Sequence, residues 1–266
     1  MTRYVRATDP FGRALSIHPT SLGAQSGRGA IGDPSLLDFD MLQTGHAGPT
    51  VLEHTIRTLR TSYAAPPRMP VLNSEVAYEA LFDAIPASAV RRVFWASVLS
   101  GAAGHTYGAN GIWQVNRVDQ AYGVSPHGAN YGTIPWDRAM HLDGSRQLGL
   151  GKGLLERFAW HQFEPHPEWA AFATAKPENP WDVPYAAGIP EVVRVIYSPR
   201  GVAVRVAGLH PGAPYTAERW APDSGATVQL GQVYPNAAGS WVCPPPDDGG
   251  SDWILVLRAG THYDGR

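Results

Sequence analysis

The sequence predicts an α/β domain with a parallel sheet, followed by a small antiparallel β-sandwich. Up to about residue 175, short apolar strands alternate with segments whose apolar residues recur at helical intervals. Residues 176–190 then turn to Pro, Trp, Asn and Asp without periodicity, and beyond them the apolar residues alternate with a period of two. We therefore expect an α/β domain over 1–175, a linker over 176–190 and a β-sandwich over 191–266.

The first predicted elements are a short helix and two strands. Residues 2–8 have the composition of the last turns of a helix. Residues 14–18 predict a strand that ends at Pro19, so His18 lies at a strand end. A loop rich in Gly and Ser leads to a second strand over residues 37–44.

The following elements continue the rhythm of helix and strand. Residues 51–63 carry apolar side chains at helical intervals, and a short buried strand then ends at Glu75. Ser88 is the expected N-cap of a helix that reaches Leu99. A fourth strand ends in polar groups after residue 104, and a helix is expected over 145–163.

The last part of the chain predicts short strands separated by turns that contain Pro, Gly and Asp. The expected strands cover residues 192–197, 202–206, 215–220, 227–230 and 253–257. Strands of this length, joined by tight turns, predict the antiparallel β-sandwich.

The composition excludes several classes of partner. A formal net charge of -2 gives no long-range attraction for phosphate backbones or anionic lipid, which argues against nucleic acid and membrane partners. The single cysteine, Cys243, excludes an intrachain disulfide and a cysteine-based zinc cluster. Nine Trp, eleven Tyr and ten His supply flat, hydrogen-bonding surfaces that suit sugar recognition, although Trp and Tyr also fill cores.

The sequence does not determine the cellular compartment of the protein. No apolar run is long enough to span a bilayer, and the first residues do not form a signal peptide. An exported or periplasmic location stays compatible with the sequence if the true N-terminus lies further upstream.

Polar side chains follow each of the four predicted strands of the α/β domain. They are His18; Gln43 and His46; Glu75, Tyr78 and Glu79; and His105, Tyr107 and Asn110. Because the carboxyl ends of parallel strands meet at one face, we expect these residues to line one pocket, with Glu75 as the main catalytic candidate. The alternative is that Glu75 and Glu79 cap the next helix.

Other candidates in this region are weaker. Asp38 and Asp40 alternate along their strand, and solvation or helix capping explains them better than catalysis. The histidines form no close ligand pair such as His-x-x-x-His, so the sequence predicts neither a metal site nor a cofactor.

These motifs together resemble the apiosidase-like glycoside hydrolases, whose catalytic barrel precedes a small β domain named for collagen binding. The resemblance rests on Asp9-Pro10 to His18-Pro19, Asp38-Phe39 to His46, Glu75 to Glu79, Gly104-His105-Thr106-Tyr107-Gly108 to Trp113, and the segments 219–225 and 252–257. It implies a (β/α)8 barrel and a retaining mechanism in which Glu75 is the nucleophile on the seventh strand.

The same resemblance implies the roles of the other residues. Carbohydrate is the implied substrate, bound by His18, Gln43, His46, Tyr78, Glu79, His105 and Tyr107, with Trp113 as a stacking wall. Glu79 anchors its loop by hydrogen bonds in this interpretation, rather than taking part in the chemistry.

The chain departs from the family pattern in its number of strands. If Glu75 ends strand seven, residues 1–175 hold strands five to eight, and the family's general acid on strand four has no counterpart. We therefore expect the C-terminal half of a barrel plus its β domain, a fragment or one half of a split protein. The expected partners are a missing N-terminal half-barrel or a second copy, and the alternative function is a non-catalytic carbohydrate-binding or accessory protein.

Overall fold

The computed structural model describes residues 1–20, 25–46, 51–120, 131–247 and 252–260, which form two compact units, Met1–Ser145 and Arg146–Arg266. The α-helices are α1 (Thr2–Thr8), α2 (Val51–Ala64), α3 (Ala87–Val98), α4 (Trp136–Ala139) and α5 (Asp143–Leu155). The strands are β1 (Asp40–Gln43), β2 (Val71–Glu75), β3 (Gly104–His105), β4 (Glu164–Pro165), β5 (Ala170–Phe172), β6 (Tyr185–Ile189), β7 (Val193–Ser198), β8 (Val204–Val206), β9 (Tyr215–Trp220), β10 (Thr227–Val233), β11 (Trp241–Cys243) and β12 (Trp253–Ala259). Within the described ranges, no helix is long and apolar enough to cross a membrane.

The N-terminal unit is built around a parallel sheet in the order β1-β2-β3. One face of this sheet packs on the helices, because Leu42 and Val71 form an apolar cluster with Leu59 of α2. The alternate residues of β2, Leu72 and Ser74, are only partly buried. The strand therefore has one well-covered face and one that is partly open.

The predicted strand over residues 14–18 is not a strand in the structure. Leu15 accepts a hydrogen bond from the backbone N–H of Asp38 at 2.9 Å, but side chains replace the next ladder bonds. The Asp38 carboxylate accepts from Leu15 N at 2.6 Å, and the Ser16 hydroxyl donates to the Phe39 carbonyl at 2.7 Å. Asp38 thus ties this segment to the sheet, and the second predicted strand shortens to β1.

Asp40 also has a structural role. Its side chain is fully buried, accepts the backbone N–H of Arg28 at 2.8 Å and is hydrogen-bonded by the Ser62 hydroxyl of α2. These contacts join β1, its preceding loop and α2, so the expected solvation or helix capping of Asp40 is wrong. Ser88 is not the N-cap of α3, because the helix begins one residue earlier, at Ala87, after Pro86.

The C-terminal unit consists of two antiparallel sheets. Six strands pair in the order β10-β9-β12-β7-β6-β4, and three pair in the order β11-β8-β5. The two sheets contribute to one apolar core, in which Trp169, Val204 and Cys243 lie with Ile196 and Trp253. Burial raises the pKa of the Cys243 thiol to about 12, so this cysteine is a packed apolar side chain.

The boundaries of the units differ from the predicted ones. The predicted α/β domain ended at 175, but β4 and β5 already belong to the sheets of the C-terminal unit. The predicted linker over 176–190 contains β6, whose first four residues are all buried and therefore show no alternation of polar and apolar side chains. The predicted helix over 145–163 is α5, which begins earlier and ends at Leu155.

Candidate active site

Glu75 is the last residue of β2, and three side chains hold its carboxylate. His46 Nε2 contacts Oε1, His18 Nε2 lies 3.0 Å from Oε2, and the Tyr78 hydroxyl is hydrogen-bonded to the carboxylate. The His46 ring also packs edge-on against Tyr78, with ring centroids 4.6 Å apart. Residues from three separate segments of the chain thus meet around one carboxylate.

The surroundings of Glu75 favour its ionised form. Burial alone raises the pKa of the Glu75 carboxyl, but the hydrogen bond and charge of His46, the charge of His18 and the hydrogen bond of Tyr78 outweigh it. The pKa of Glu75 is therefore lowered below its usual value. Burial and the Glu75 carboxylate raise the pKa of Tyr78 well above its usual range, so this phenol remains a hydrogen-bond donor. An anionic carboxylate is the state that a nucleophile needs.

Each ring nitrogen of His18 faces a hydrogen-bond acceptor. His18 Nδ1 lies 3.0 Å from the carbonyl oxygen of Pro19, while Nε2 faces the Glu75 carboxylate. Both neighbours are acceptors, and a neutral imidazole has a single N–H. The two contacts are therefore both hydrogen bonds only when His18 is an imidazolium.

Glu79 forms a second, buried cluster. The Tyr107 hydroxyl donates to Glu79 Oε2 at 2.5 Å, and the backbone N–H of Gly144 lies 3.1 and 2.9 Å from the two carboxylate oxygens. Gly144 is in the first turn of α5, where the helix dipole favours a negative charge. A Cβ at Gly144 would overlap Oε2 of Glu79, so only glycine permits this approach.

Replacing Glu79 with Gln is expected to lower the free energy of unfolding by about 1.5–3 kcal/mol, the range for a hydrogen bond to a charged group. The glutamine amide oxygen can still accept from the Tyr107 hydroxyl and the Gly144 N–H, but it carries no charge, and an NH2 donor replaces the second acceptor oxygen. Urea unfolding followed by tryptophan fluorescence measures the change. The matched control is Glu156→Gln, an exposed glutamate paired with Lys152, which we expect to change stability by less than about 1 kcal/mol. Equal losses for the two variants would contradict the anchoring role of Glu79.

The two clusters are adjacent along the chain and in space. The Tyr78 ring lies so close to Gly108 that a Cβ at that position would overlap it, and the Gly108 carbonyl accepts the backbone N–H of Glu79 at 3.0 Å. Tyr78 belongs to the Glu75 cluster and Glu79 to the Tyr107 cluster. Glycine at position 108 therefore permits the close approach where the two clusters meet.

The remaining predicted site residues have other contacts. Gln43 ends β1 and is paired with Glu75 after a shift in the register of the two strands. Trp113 is 48% exposed, with its ring edge-on to Tyr131 at a centroid distance of 5.6 Å. His105 packs edge-on against Phe94 of α3, with ring centroids 5.5 Å apart. That all of these residues line one pocket with Glu75 stays a prediction.

His105 is held in an unusual environment. The residue is partly exposed as a whole, but both ring nitrogens are buried without a hydrogen-bonding protein atom. Burial lowers the pKa of His105 to about 4. The ring is therefore neutral at physiological pH.

His105 is expected to make the protein less stable in mild acid. Its pKa is about 4 in the folded chain against 6.5 unfolded, so the stability it contributes is complete above pH 6.5 and is lost as the pH falls toward 4. The expected loss is on the order of 3 kcal/mol. Urea unfolding at a series of pH values measures it, and His105→Leu should remove this part of the pH dependence. His161→Leu, at an exposed histidine, should leave the pH dependence of stability unchanged. An unchanged pH dependence in His105→Leu would contradict this origin.

Three groups in this region escape sequence reasoning. Gly144 is separated from Glu79 by 65 residues, and no local pattern indicates that its amide contacts a carboxylate. Phe82 and Tyr131 pack against each other with ring centroids 5.5 Å apart, although they lie on different loops. The density of aromatic residues is the one sequence signal that points toward them.

The chain is similar to one protein family and to several solved structures. The model of the family described as apiosidase-like, catalytic domain, matches residues 1–162. A solved glycoside hydrolase is 23% identical with a TM-score of 0.80, over 97% of this chain and 60% of the other. A glycoside hydrolase family 5 crystal structure from Bacteroides vulgatus ATCC 8482 is 23% identical with a TM-score of 0.79, over 97% and 58%. None of the curated proteins matches.

The two kinds of similarity carry different conclusions. At this level of identity the solved structures show the fold alone, and the chain spans 60% and 58% of their lengths. The family match covers residues 1–162, more than half of the chain, and includes Glu75, Glu79 and the residues that hold them. The chain belongs to the apiosidase-like glycoside hydrolases.

Proposed function

We propose that this chain is the nucleophile-bearing half of a retaining glycoside hydrolase that acts on plant or microbial polysaccharide. The main support for this proposal is Glu75, whose carboxylate lies at the carboxyl end of a parallel strand. Burial raises the pKa of this carboxyl, but His46, His18 and Tyr78 lower it further than burial raises it. In a retaining mechanism this carboxylate attacks the anomeric carbon and forms a covalent glycosyl intermediate. The groups proposed to bind the sugar are His18, Gln43, His46, Tyr78, Glu79, His105, Tyr107 and Trp113.

The general acid is proposed to come from an upstream half-barrel. Retaining enzymes place a second carboxyl roughly 5–5.5 Å from the nucleophile. Among the described residues, the contacts of Glu75 are two imidazoles and a phenol, while Glu79 is engaged by Tyr107 and Gly144. The upstream half belongs to a longer form of this chain or to a separate one.

The proposed architecture is the C-terminal half of a (β/α)8 barrel followed by a β-sandwich. The partly open face of β2, at Leu72 and Ser74, supports the half-barrel, because parallel sheets normally have both faces covered. The apolar core to which both antiparallel sheets contribute supports the sandwich. A second copy of the chain is the alternative cover for the open face.

Chemical rescue tests the role of Glu75. In Glu75→Gly, azide can occupy the space of the carboxylate and attack the anomeric carbon of an activated aryl glycoside, with the aryloxide as leaving group. We expect azide to restore turnover and to give a glycosyl azide of inverted configuration, identified by NMR. Glu75→Gln fills the same space and should not be rescued. A retained product, or no rescue of Glu75→Gly, would contradict the nucleophile assignment.

A non-catalytic carbohydrate-binding or accessory protein is the second candidate. It is favoured by the lack of a second carboxylate among the contacts of Glu75 in the described ranges. The nucleotide sequence upstream of the start codon separates the two functions. A reading frame that continues into four further strands, or a separate neighbouring gene that encodes them, supports the hydrolase, whereas the lack of both favours the accessory protein.

A further inference from the structure

Three aromatic side chains form an exposed surface beside the candidate active site, here named the aromatic platform: Phe82, Trp113 and Tyr131. Phe82 is 50% exposed and Trp113 is 48% exposed. Tyr131 lies between them, with ring centroids 5.5 Å from Phe82 and 5.6 Å from Trp113. The platform is longer than a single ring, and large apolar side chains exposed together usually mark a binding surface.

The backbone that presents Phe82 is strained. Ala80, Phe82 and Asp83 all have positive φ, at 54°, 55° and 55°, which is uncommon for residues other than glycine. Such conformations persist only where the surrounding structure enforces them, and they cluster at functional sites. Here the Ala80 N–H donates to the Ile85 carbonyl at 2.7 Å, and the Phe82 N–H donates to the Tyr131 carbonyl at 3.1 Å. The loop is thus fixed in the form that exposes the Phe82 ring.

The platform lies on the same edge of the sheet as Glu75. Phe82 is on the connection that follows β2, the strand that ends in Glu75, and Trp113 and Tyr131 are on the connection that follows β3. The Asn110 amide donates to the Ala80 carbonyl at 3.0 Å and joins the two connections. In parallel α/β folds these connections surround the substrate.

We infer that the aromatic platform binds successive sugar rings of a polymeric carbohydrate, beyond the sugar whose bond Glu75 attacks. The apolar C–H faces of sugar rings stack on aromatic rings, and an edge-on pair such as Trp113 and Tyr131 leaves ring faces uncovered by each other. The inference rests on the proposed function for the position of the cleaved bond. It assigns binding positions for the sugars of this polysaccharide that lie beyond the one attacked by Glu75.

Affinity electrophoresis of the full chain tests the platform. The probes are soluble arabinoxylan, pectin and xanthan in native gels, with free monosaccharides as competitors. We expect at least one polymer to retard the wild-type chain and monosaccharides to compete little. Phe82→Gly, Tyr131→Ala or Trp113→Ala should each weaken polymer binding about tenfold, equivalent to about 1.4 kcal/mol. Glycine suits the positive φ at position 82, so Phe82→Gly removes the ring without straining the backbone. Tyr234→Ala, at an exposed tyrosine of the C-terminal unit, is the matched control.

The outcomes separate this inference from the proposed function. No retardation by any of the polymers, or equal binding by the platform variants and the wild type, overturns the platform. A change of oligomeric state in the platform variants with unchanged polymer binding also overturns it and makes the surface a protein interface. Glu75→Gln should bind polymer as the wild type does. If azide rescue fails while the platform variants lose binding, the nucleophile assignment is wrong and the platform stands.

Discussion

Replacing Glu75 with Gln is expected to lower the turnover of an aryl glycoside about ten-thousandfold or more, the scale of loss seen when an enzyme's nucleophile is removed. The glutamine amide keeps the size of the side chain and can still contact His46 and Tyr78. It lacks the negative charge that attacks the anomeric carbon, so the covalent intermediate cannot form. Release of the aryl group by the enzyme with its upstream half measures the loss.

Glu79→Gln is the matched control for this experiment, because Glu79 is four residues from Glu75 and the substitution changes the same side chain in the same way. Its carboxylate is buried against Tyr107 and Gly144, so we expect a loss of stability or of substrate affinity with the chemical step preserved. The ratio of kcat between the two variants is the deciding quantity. If Glu79→Gln abolished turnover and Glu75→Gln retained it, the two roles would be reversed.

The sequence could predict Glu75 and its immediate partners because their positions follow from strand ends. His46 follows β1 and Glu75 ends β2, two neighbouring parallel strands whose carboxyl ends lie at the same edge of the sheet, where their side chains meet. Tyr78 is three residues from Glu75 and needed no long-range reasoning. The contact between His18 and Glu75 was predicted from a strand over residues 14–18, which the structure does not contain. The Asp38 side chain, rather than a ladder of backbone hydrogen bonds, holds this segment beside β1.

The contacts that Glu79 and His105 make with distant segments could not be predicted. The Gly144 amide reaches Glu79 because α5 begins there, and the sequence placed the start of that helix two residues too late. His105 ends a predicted strand as Glu75 does, but its ring packs on Phe94 of α3 instead. Alternation along a strand two residues long gives no indication of which face a side chain takes.

Strand prediction in the C-terminal unit depended on alternation. β9 has the predicted bounds, and β7, β8, β10 and β12 overlap the predicted ranges, because their side chains alternate or are bounded by clear turns. The strands that were missed are two or three residues long or buried on both faces, as β6 is. These strands form because they pair with neighbouring strands, so the local sequence contains little information about them.

The 266-residue chain alone is expected to hydrolyse natural glycosides feebly or not at all. General acid catalysis contributes about a hundred- to ten-thousandfold, and its loss weighs most when the leaving group is a sugar hydroxyl. An aryl glycoside has a leaving group that needs little protonation. Residual activity should therefore appear first on aryl glycosides, and it should depend on Glu75.

The deciding assay compares aryl and natural glycosides for the chain alone and for a form extended upstream by the proposed half-barrel. Extension should raise activity on natural oligosaccharides far more than activity on aryl glycosides, because only the former needs the added acid. The partly open face of β2 predicts that the chain alone associates with itself, which light scattering measures. Full activity of the monomeric chain on a natural oligosaccharide would place the general acid within these residues and would contradict the proposed half-barrel.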